Sequence, residues 1–410
     1  MGFYLLEGFF LMFRVLWIIV VCIFSSSGLC ASKIVYLSWA GDPTTTMVVQ
    51  WLGGKQHKES TLHLKTFGGL YEQSFQPEEV QIDGADTELN RVFLSGLEPD
   101  KEYVFTIGKG NTLYRFRTLP KTLEHRVHFV VGGDLYYHYN LFRKMNQAVA
   151  TLSPDFVVLG GDIAYVYSHN PPLYRPRDWQ WKRWHTFLES WHEQMIDQEG
   201  RLIPFLVVVG NHDVKHKAPG QEKNLFYTLF PWKKENQAYR EVLFGDYLAL
   251  FLLDSGHTDP IGGEQALWLE QALCSAKGVY YKMAVYHIPA YPSHSAYHSS
   301  TSSRIREAWC PLFDEYGVQV AFAHHSHTYK RTKPILKNQV DERGVIYLGD
   351  GSWGVIPRRV KTPSEEWYLE KTASVNAVYH VELFKEYTRI QAIGNTGKIL
   401  DEVPLIFPRL

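Results

Sequence analysis

Between residues 33 and 118, apolar and polar residues alternate over short stretches, a pattern typical of strands with one buried face. Clusters of Gly, Pro, Asp and Asn separate these stretches and break the chain into turns. The stretches lie at residues 46–51, 61–67, 91–94, 102–107 and 113–117. Short strands at this spacing predict an all-β sandwich over residues 33–118.

The pattern changes after a polar connection at residues 118–125. Apolar, β-branched runs now alternate with stretches whose apolar residues recur at the helical period. We predict strands at 127–131, 155–159, 205–209, 247–253, 280–286 and 318–322, helices at 141–152, 178–194, 263–276 and 304–316, and a closing hairpin at 375–383 and 388–393. Strands that alternate with helices predict an α/β domain over residues 123–410.

Residues 11–24 are hydrophobic except for Arg14. The run is short for a membrane-spanning helix and fits the apolar core of a signal peptide, with cleavage expected near Cys30 or Ala31. The alternative is that residues 1–31 stay on the protein as an N-terminal anchor. Both interpretations predict an exported protein that is secreted, periplasmic or held in the cell envelope.

Composition adds little to this picture. The chain has 45% hydrophobic and 21% charged residues, which are ordinary globular values. Its net charge of −1 gives no overall field that would attract nucleic acid or an anionic membrane. Cleavage of the leader leaves two cysteines, Cys274 and Cys310, which we expect to be buried free thiols because both lie in helical patterns.

Five strands of the α/β domain end in side chains that can bind metal ions. These side chains are Asp134, Asp162 with Tyr165, Asn211 with His212, His287, and His325 with His327. Each alone is more often a turn or capping residue, but open α/β sheets place their ligands at the carboxyl ends of strands. Such a mixture of Asp, Asn, His and Tyr is more typical of metal binding than of turns. The pattern predicts a two-metal hydrolytic site in which both ions share Asp162.

These motifs resemble those of the calcineurin-type metallophosphoesterases, and more narrowly those of the purple acid phosphatases. Gly161-Asp-Ile-Ala-Tyr165 matches the GDxxY motif, whose tyrosine separates the purple acid phosphatases from their relatives. Residues 320–331 resemble the closing histidine stretch of the family, and residues 33–118 resemble its fibronectin III-like N-terminal domain. The resemblance implies a metallophosphoesterase β-sandwich flanked by helices, in four layers α/β/β/α, behind the all-β sandwich.

The resemblance also implies two metal ions, Fe(III) and a divalent ion such as Zn, Mn or Fe. The implied ferric ligands are Asp134, Asp162, Tyr165 and His327, and the implied divalent ligands are Asp162, Asn211, His287 and His325. His212 resembles the histidine that faces the substrate. Asp213 is expected to orient a histidine of the site.

The chain departs from the family pattern at two places. His324 stands where the family usually has Gly, so its side chain is expected to crowd the turn or to offer a competing imidazole. Ser295 and Ala296 stand where the family has a pair of histidines. His294 and His298 flank these positions, and we expect one of them to compensate as a proton donor.

The implied reaction is acid phosphatase-like hydrolysis of phosphate monoesters, in which a metal-bound hydroxide attacks phosphorus. The leaving alcohol needs a proton, for which His212, His294 and His298 are the candidates. The expected partner is a phosphate ester and not a nucleic acid. Two alternatives stay open: a phosphodiesterase or nucleotide phosphatase with the same site, and a binding protein with a catalytically vestigial domain.

Overall fold

The structure is a computed structural model that describes residues 33–54, 60–167, 178–215, 225–231, 237–349 and 351–409. The predicted leader at residues 1–31 lies outside the described residues and stays a prediction. Within those described ranges, no helix combines the length and the apolar character that crossing a membrane would require.

The first part of the described chain is all-β, as predicted. Its strands are β1 Val35–Ser38, β2 Met47–Gly54, β3 Leu62–Thr66, β4 Gln73–Phe75, β5 Glu78–Gln81, β6 Thr87–Leu94, β7 Glu102–Ile107 and β8 Tyr114–Arg117. They form two four-stranded antiparallel sheets with the orders β1-β2-β6-β5 and β4-β3-β7-β8. We call these two sheets the N-terminal sandwich.

The second part contains two larger sheets with helices outside them. Its strands are β9 Val127–Gly132, β10 Phe156–Leu159, β11 Phe205–Val207, β12 Arg240–Phe244, β13 Leu248–Leu252, β14 Tyr281–Val285, β15 Val320–Phe322, β16 Tyr329–Thr332, β17 Ile335–Leu336, β18 Gln339–Val340, β19 Ile346–Gly349, β20 Leu369–Ala373, β21 Ala377–Leu383, β22 Thr388–Gly394 and β23 Ile399–Ile406. Its helices are α1 Tyr139–Ala150, α2 Trp179–Gln194, α3 Leu225–Leu229, α4 Glu264–Ser275, α5 Ser300–Ala308 and α6 Cys310–Tyr316.

The two larger sheets pack face to face and give the four layers that the resemblance implied. Their strand orders are β11-β10-β9-β21-β22-β23 and β12-β13-β14-β15-β19-β16-β20. Side chains alternate along each strand, so Val158 packs between the sheets while Val157 faces α1 and α2. On the second sheet Leu252 packs between the sheets while Phe251 faces α4, α5 and α6. The α/β/β/α architecture is therefore confirmed.

The register of the parallel strands brings the predicted ligands to one edge of each sheet. Leu159 of β10 lies opposite Gly132 of β9 and Val207 of β11. In the other sheet Val285 of β14 lies opposite Phe322 of β15. Because these strands are parallel and end level with one another, the loops that follow them emerge side by side.

The N-terminal sandwich and the α/β part share one apolar core. Trp39 is fully buried, and its ring centroid lies 5.9 Å from that of Phe156 in β10. Polar contacts cross the same boundary: the Tyr36 hydroxyl donates to Leu229 O at 2.9 Å, and Arg240 Nη1 donates to Trp39 O at 2.7 Å. The sandwich therefore supports the strand whose end carries Asp162.

We expect Trp39→Ala to destabilise the whole described chain, because the deleted indole packs against both parts of the shared core. Truncation of a buried Trp typically costs about 3–5 kcal/mol of unfolding free energy. Thermal unfolding of full-length protein should show one transition at a lower temperature. Tyr71→Ala is the matched control, since Tyr71 is 78% exposed in the same sandwich. Two separate transitions, of which only one moves, would contradict a shared core.

One predicted helix is interrupted in the structure. The predicted helix at 304–316 is divided at Trp309 into α5 and α6, because Pro311 in the first turn of α6 has no N–H to donate. The predicted helix end at residue 316 is confirmed, because Gly317 follows α6 in the left-handed conformation with φ 71°. Both cysteines are free as expected, but Cys274 is exposed and only Cys310 is buried.

Candidate metal centre

Three of the predicted ligands meet around one carboxylate oxygen. The Tyr165 hydroxyl donates to Asp134 Oδ1 at 3.0 Å, and His327 Nε2 lies 2.9 Å from the same oxygen. His327 Nε2 also lies 3.2 Å from the Tyr165 hydroxyl. Asp134 is fully buried. We call Asp134, Tyr165 and His327 the tyrosine group.

The other four predicted ligands meet around His287. Its Nε2 lies 3.1 Å from Asn211 Oδ1, 3.3 Å from Asp162 Oδ2 and 3.3 Å from His325 Nδ1. Potential ligand atoms of Asp162, His287 and His325 all lie within 4.8 Å of one another. We call Asp162, Asn211, His287 and His325 the histidine group. His325 joins the two groups, because its backbone N–H donates to Asp134 Oδ2 at 2.8 Å.

Five of these seven residues have a left-handed backbone. Their φ angles are 57° for Asp134, 53° for Asp162, 52° for Tyr165, 75° for His325 and 58° for His327. Such a conformation is uncommon outside glycine and costs about 1–3 kcal/mol per residue unless its surroundings hold it. Backbone strain of this kind collects at functional sites, so its concentration here supports a functional centre.

The contacts of His287 and Asp162 show why a cation fits between these two side chains. His287 Nδ1 lies 2.9 Å from Gly160 O, so the neutral ring carries its hydrogen there and Nε2 is a bare lone pair. This lone pair faces Asp162 Oδ2, a buried oxygen without a hydrogen-bond partner among the described residues. Two acceptors at this distance need a proton or a cation between them. The donor set, with carboxylate, imidazole and amide oxygen, suits a divalent transition metal.

Electrostatics indicate that a proton fills this place when no cation is bound. Burial alone would lower the pKa of His287, but the Asp162 carboxylate outweighs it and raises that pKa to about 9. Burial would likewise raise the pKa of Asp162, yet the neighbouring His287 holds it below its usual range. Metal binding must therefore displace a proton from this pair.

Tyr165 would also have to lose its proton to bind a metal. Burial, together with the nearby carboxylate of Asp134, raises the pKa of Tyr165 far above its ordinary value. The phenol is therefore neutral without a cation and donates to Asp134. A metal ion bound beside it would convert it to a phenolate, which is a hard anionic ligand.

His212 lies beside both groups and not within them. Its ring stacks on Tyr165 with a centroid distance of 4.8 Å. Its Nδ1 lies 2.6 Å from Tyr167 O, which places the ring hydrogen on that side. The opposite nitrogen, Nε2, lies 3.8 Å from Asp162 Oδ2. The expected role of His212 towards a substrate stays a prediction.

Asp213 does not orient a histidine, so that expectation is wrong. Its Oδ1 accepts from the backbone N–H of Ile163 at 2.7 Å and of Ala164 at 3.3 Å. Its Oδ2 accepts from the N–H of Gly210 at 3.0 Å. A short acidic side chain in a turn binds nearby amides readily. Asp213 thus joins the loop that carries Asp162 to the loop that carries Asn211.

His324 packs its ring against the turns that carry the predicted ligands, and its role as a competing imidazole stays a prediction. Its buried ring fills the space beside two glycines: a Cβ at Gly160 would lie 1.9 Å from it, and a Cβ at Gly133 2.6 Å from it. Burial lowers the pKa of His324 to about 3, so the ring is neutral. Both ring nitrogens have no hydrogen-bond partner among the described residues. The two glycines thus provide the room that this side chain needs.

His294 and His298 are exposed side chains in the loop between β14 and α5. His294 Nδ1 is 2.7 Å from Arg359 O, and the His298 ring centroid is 4.8 Å from that of Tyr297. Both rings therefore lie at the surface, His294 against a carbonyl of a distant segment and His298 against its neighbour in the chain. Their role as proton donors stays a prediction.

Sequence reasoning missed His257, a buried histidine next to the histidine group. Its ring centroid lies 5.5 Å from that of His287. Ser255 Oγ lies 3.0 Å from His257 Nε2 and accepts from the N–H of Ile288 at 3.0 Å. The signal was present, because Asp254-Ser-Gly-His257 follows the apolar run of β13 as the other motifs follow their strands.

Two family models match the chain. The model described as the purple acid phosphatase N-terminal domain matches residues 33–118. The model described as calcineurin-like phosphoesterase matches residues 127–329. The second match begins with β9 and ends at Tyr329, so it contains the tyrosine group and the histidine group.

Individual relatives agree with these matches. The chain is 24% identical to purple acid phosphatase 15 of Arabidopsis thaliana over 76% of its own length, and it spans 62% of that relative. It is 23% identical to acid phosphatase type 7 of Mus musculus, over 92% of the chain and 91% of the relative. A purple acid phosphatase from Lupinus luteus seeds has a similar fold, with a TM-score of 0.75 at 17% identity, covering 90% of this chain and 73% of that chain.

Proposed function

Because the chain belongs to the calcineurin-like phosphoesterases and carries a purple acid phosphatase N-terminal domain, we propose that it hydrolyses phosphate monoesters at a dinuclear metal centre. The observation that carries this proposal is the contact between two buried acceptors, Asp162 Oδ2 and His287 Nε2, at 3.3 Å. Both atoms can bind the same cation if one lies between them. Without a cation, a proton on His287 Nε2 fills this place instead, so metal binding is coupled to the loss of that proton.

The proposed ligands divide between two ions. The tyrosine group with Asp162 would hold a ferric ion, and the histidine group, which includes Asp162, would hold a divalent ion such as Zn, Mn or Fe. When bound, two such ions supply Lewis-acid activation of water and neutralise the charge of the phosphate group. Asp162 is the one carboxylate assigned to both.

The protein side chains supply orientation and protons. The hydrogen bond from His212 Nδ1 to Tyr167 O, at 2.6 Å, fixes the ring, and we propose that the ring contacts a phosphate oxygen or the leaving group. His294 and His298 are proposed as further proton donors from the exposed loop. Export through the apolar segment at residues 11–24 is part of the proposal and rests on sequence alone.

If His294 or His298 protonates the leaving alcohol, its loss should slow esters with poor leaving groups. Replacing the histidine that donates the proton with Ala should lower kcat on an alkyl phosphate about 100-fold or more, which is the scale of general acid catalysis. An activated aryl phosphate needs little protonation and should change much less. His125→Ala is the control, because this histidine is exposed in the connection before β9. Equal losses on both esters, or no loss from either variant, would leave the loop a structural role only.

A substrate panel tests the proposed function itself. Purified full-length protein of measured metal content should hydrolyse monoesters and lose this activity when a chelator removes the metal. Faster hydrolysis of diesters would favour a phosphodiesterase with the same site. Two bound metal ions without turnover of any phosphate ester would favour a binding protein and reject the proposed activity.

A further inference from the structure

The loops after β9 and β10 continue to pair beyond the ends of the strands. The backbone N–H groups of Asp134, Leu135 and Tyr136 donate to the carbonyls of residues 161, 162 and 163, each at 3.0 Å. Asp134 is the first donor of this short parallel ladder, in the loop after β9. Tyr165 lies two residues after the last acceptor, in the loop after β10. The spacing between these two residues therefore depends on where the ladder ends.

Arg183 of α2 closes this ladder. Its Nε donates to Ala164 O at 2.8 Å, and its Nη2 donates to Tyr136 O. The guanidinium carbon lies 3.8 Å from the centroid of the Tyr136 ring. A guanidinium is planar and presents its donors in a fixed fork, so one side chain sets the separation of both carbonyls.

The two carbonyls are next to the tyrosine group. Ala164 immediately precedes Tyr165, and Tyr136 is two residues after Asp134. Both Asp134 and Tyr165 have left-handed backbones, with φ of 57° and 52°, which the surrounding structure must hold in place. Arg183 lies outside the two loops, and its contacts with them can hold these backbones in place.

We propose that Arg183 is a positioning residue, which fixes the spacing between Asp134 and Tyr165 for one shared cation. The presence of a cation depends on the proposed function, whereas the clamp, by which we mean the two hydrogen bonds from Arg183 to the two loops, does not. Arg183 acts through backbone carbonyls and is not assigned to substrate or metal. Residues that orient ligands in this indirect way typically change metal affinity about 10- to 100-fold when they are replaced.

The test compares Arg183→Met, which removes the fork, with Arg183→Lys, which keeps the charge but offers a single nitrogen. Arg143→Met is the matched control, since Arg143 is a more exposed arginine that lies 5.5 Å from the ring of Tyr139. In metal-free protein, amide exchange at Leu135 and Tyr136 should quicken about tenfold or more in Arg183→Met and not in the control. Arg183→Lys should lie between wild type and Arg183→Met.

The metal-dependent arm of the test follows iron loading. Arg183→Met should lose about 10- to 100-fold in iron affinity and shift or weaken any iron–tyrosine absorption, with smaller effects on divalent metal at the histidine group. Unchanged exchange, iron affinity and absorption in Arg183→Met would overturn the proposal. If wild type binds no metal, the proposed function fails. Amide exchange in metal-free protein then still tests whether Arg183 holds the two loops together. If Arg183→Met does not fold, the same criteria apply to Arg183→Lys.

Discussion

Replacing Asp162 with Asn is expected to abolish phosphate-ester hydrolysis and to lower the affinity for both metal ions. The variant has nearly the same volume but removes the negative charge assigned to both cations. It also places an amide where the buried Oδ2 now faces His287 Nε2 at 3.3 Å. Loss of one group that stabilises charge in a transition state costs about 100- to 1,000-fold in rate, and a ligand shared by two ions should cost at least the upper value. Steady-state kinetics with metal analysis of the same samples checks this.

The fold should survive this substitution, because Phe156–Leu159 of β10 is fully buried and apolar and Asp162 lies beyond its end. Asp155→Asn is the matched control at the other end of the same strand, where Asp155 Oδ2 accepts from the N–H of His128 at 2.8 Å. That variant should keep its metal and its activity. An Asp162→Asn protein with two metal ions and near-normal turnover would reject the shared-ligand assignment.

Replacing Tyr165 with Phe is expected to remove the visible absorption of iron-loaded protein. A phenolate bound to Fe(III) gives a charge-transfer band that carboxylate, imidazole and amide ligands do not give. The variant keeps the ring that stacks on His212 at 4.8 Å and loses only the hydroxyl. Asp134 retains its contacts with His327 at 2.9 Å and with the N–H of His325 at 2.8 Å, so stability should fall by only about 1 kcal/mol.

The measurement for Tyr165 is the visible spectrum at measured iron content. Tyr137→Phe is the control, because Tyr137 is a half-exposed tyrosine whose ring centroid lies 5.2 Å from that of Tyr165. The control should keep the band. An active, iron-loaded wild type without a visible band would contradict the ferric–phenolate assignment and leave a two-metal phosphoesterase of the broader kind.

The convergence of the predicted ligands could be inferred from sequence because it depends on strand direction alone. Parallel strands place their carboxyl ends at one edge, so Asp134, Asp162 and Asn211 had to emerge together once β9, β10 and β11 were recognised. The same reasoning applies to His287 and His325 in the second sheet. The apolar runs that define these strands are the strongest signal in the chain.

Details that depend on tertiary contacts could not be inferred in this way. The left-handed backbone of Tyr165 has no local sequence signal, and the amides bound by Asp213 come partly from a loop 50 residues away. Strand β12 was missed because Arg240–Phe244 is a short edge strand with charged residues, and β23 because it contains Pro404. The role of Trp39 in joining two parts of the chain also depends on contacts with distant residues.

The most direct test of a dinuclear catalytic centre is a titration of metal-free protein, in which 4-nitrophenyl phosphate hydrolysis is followed against the number of metal ions bound per chain. We expect the rate to stay low with the first equivalent, to rise with the second and to reach its plateau at about two ions per chain. A plateau at one ion per chain, or two bound ions without hydrolysis, would contradict a dinuclear catalytic centre.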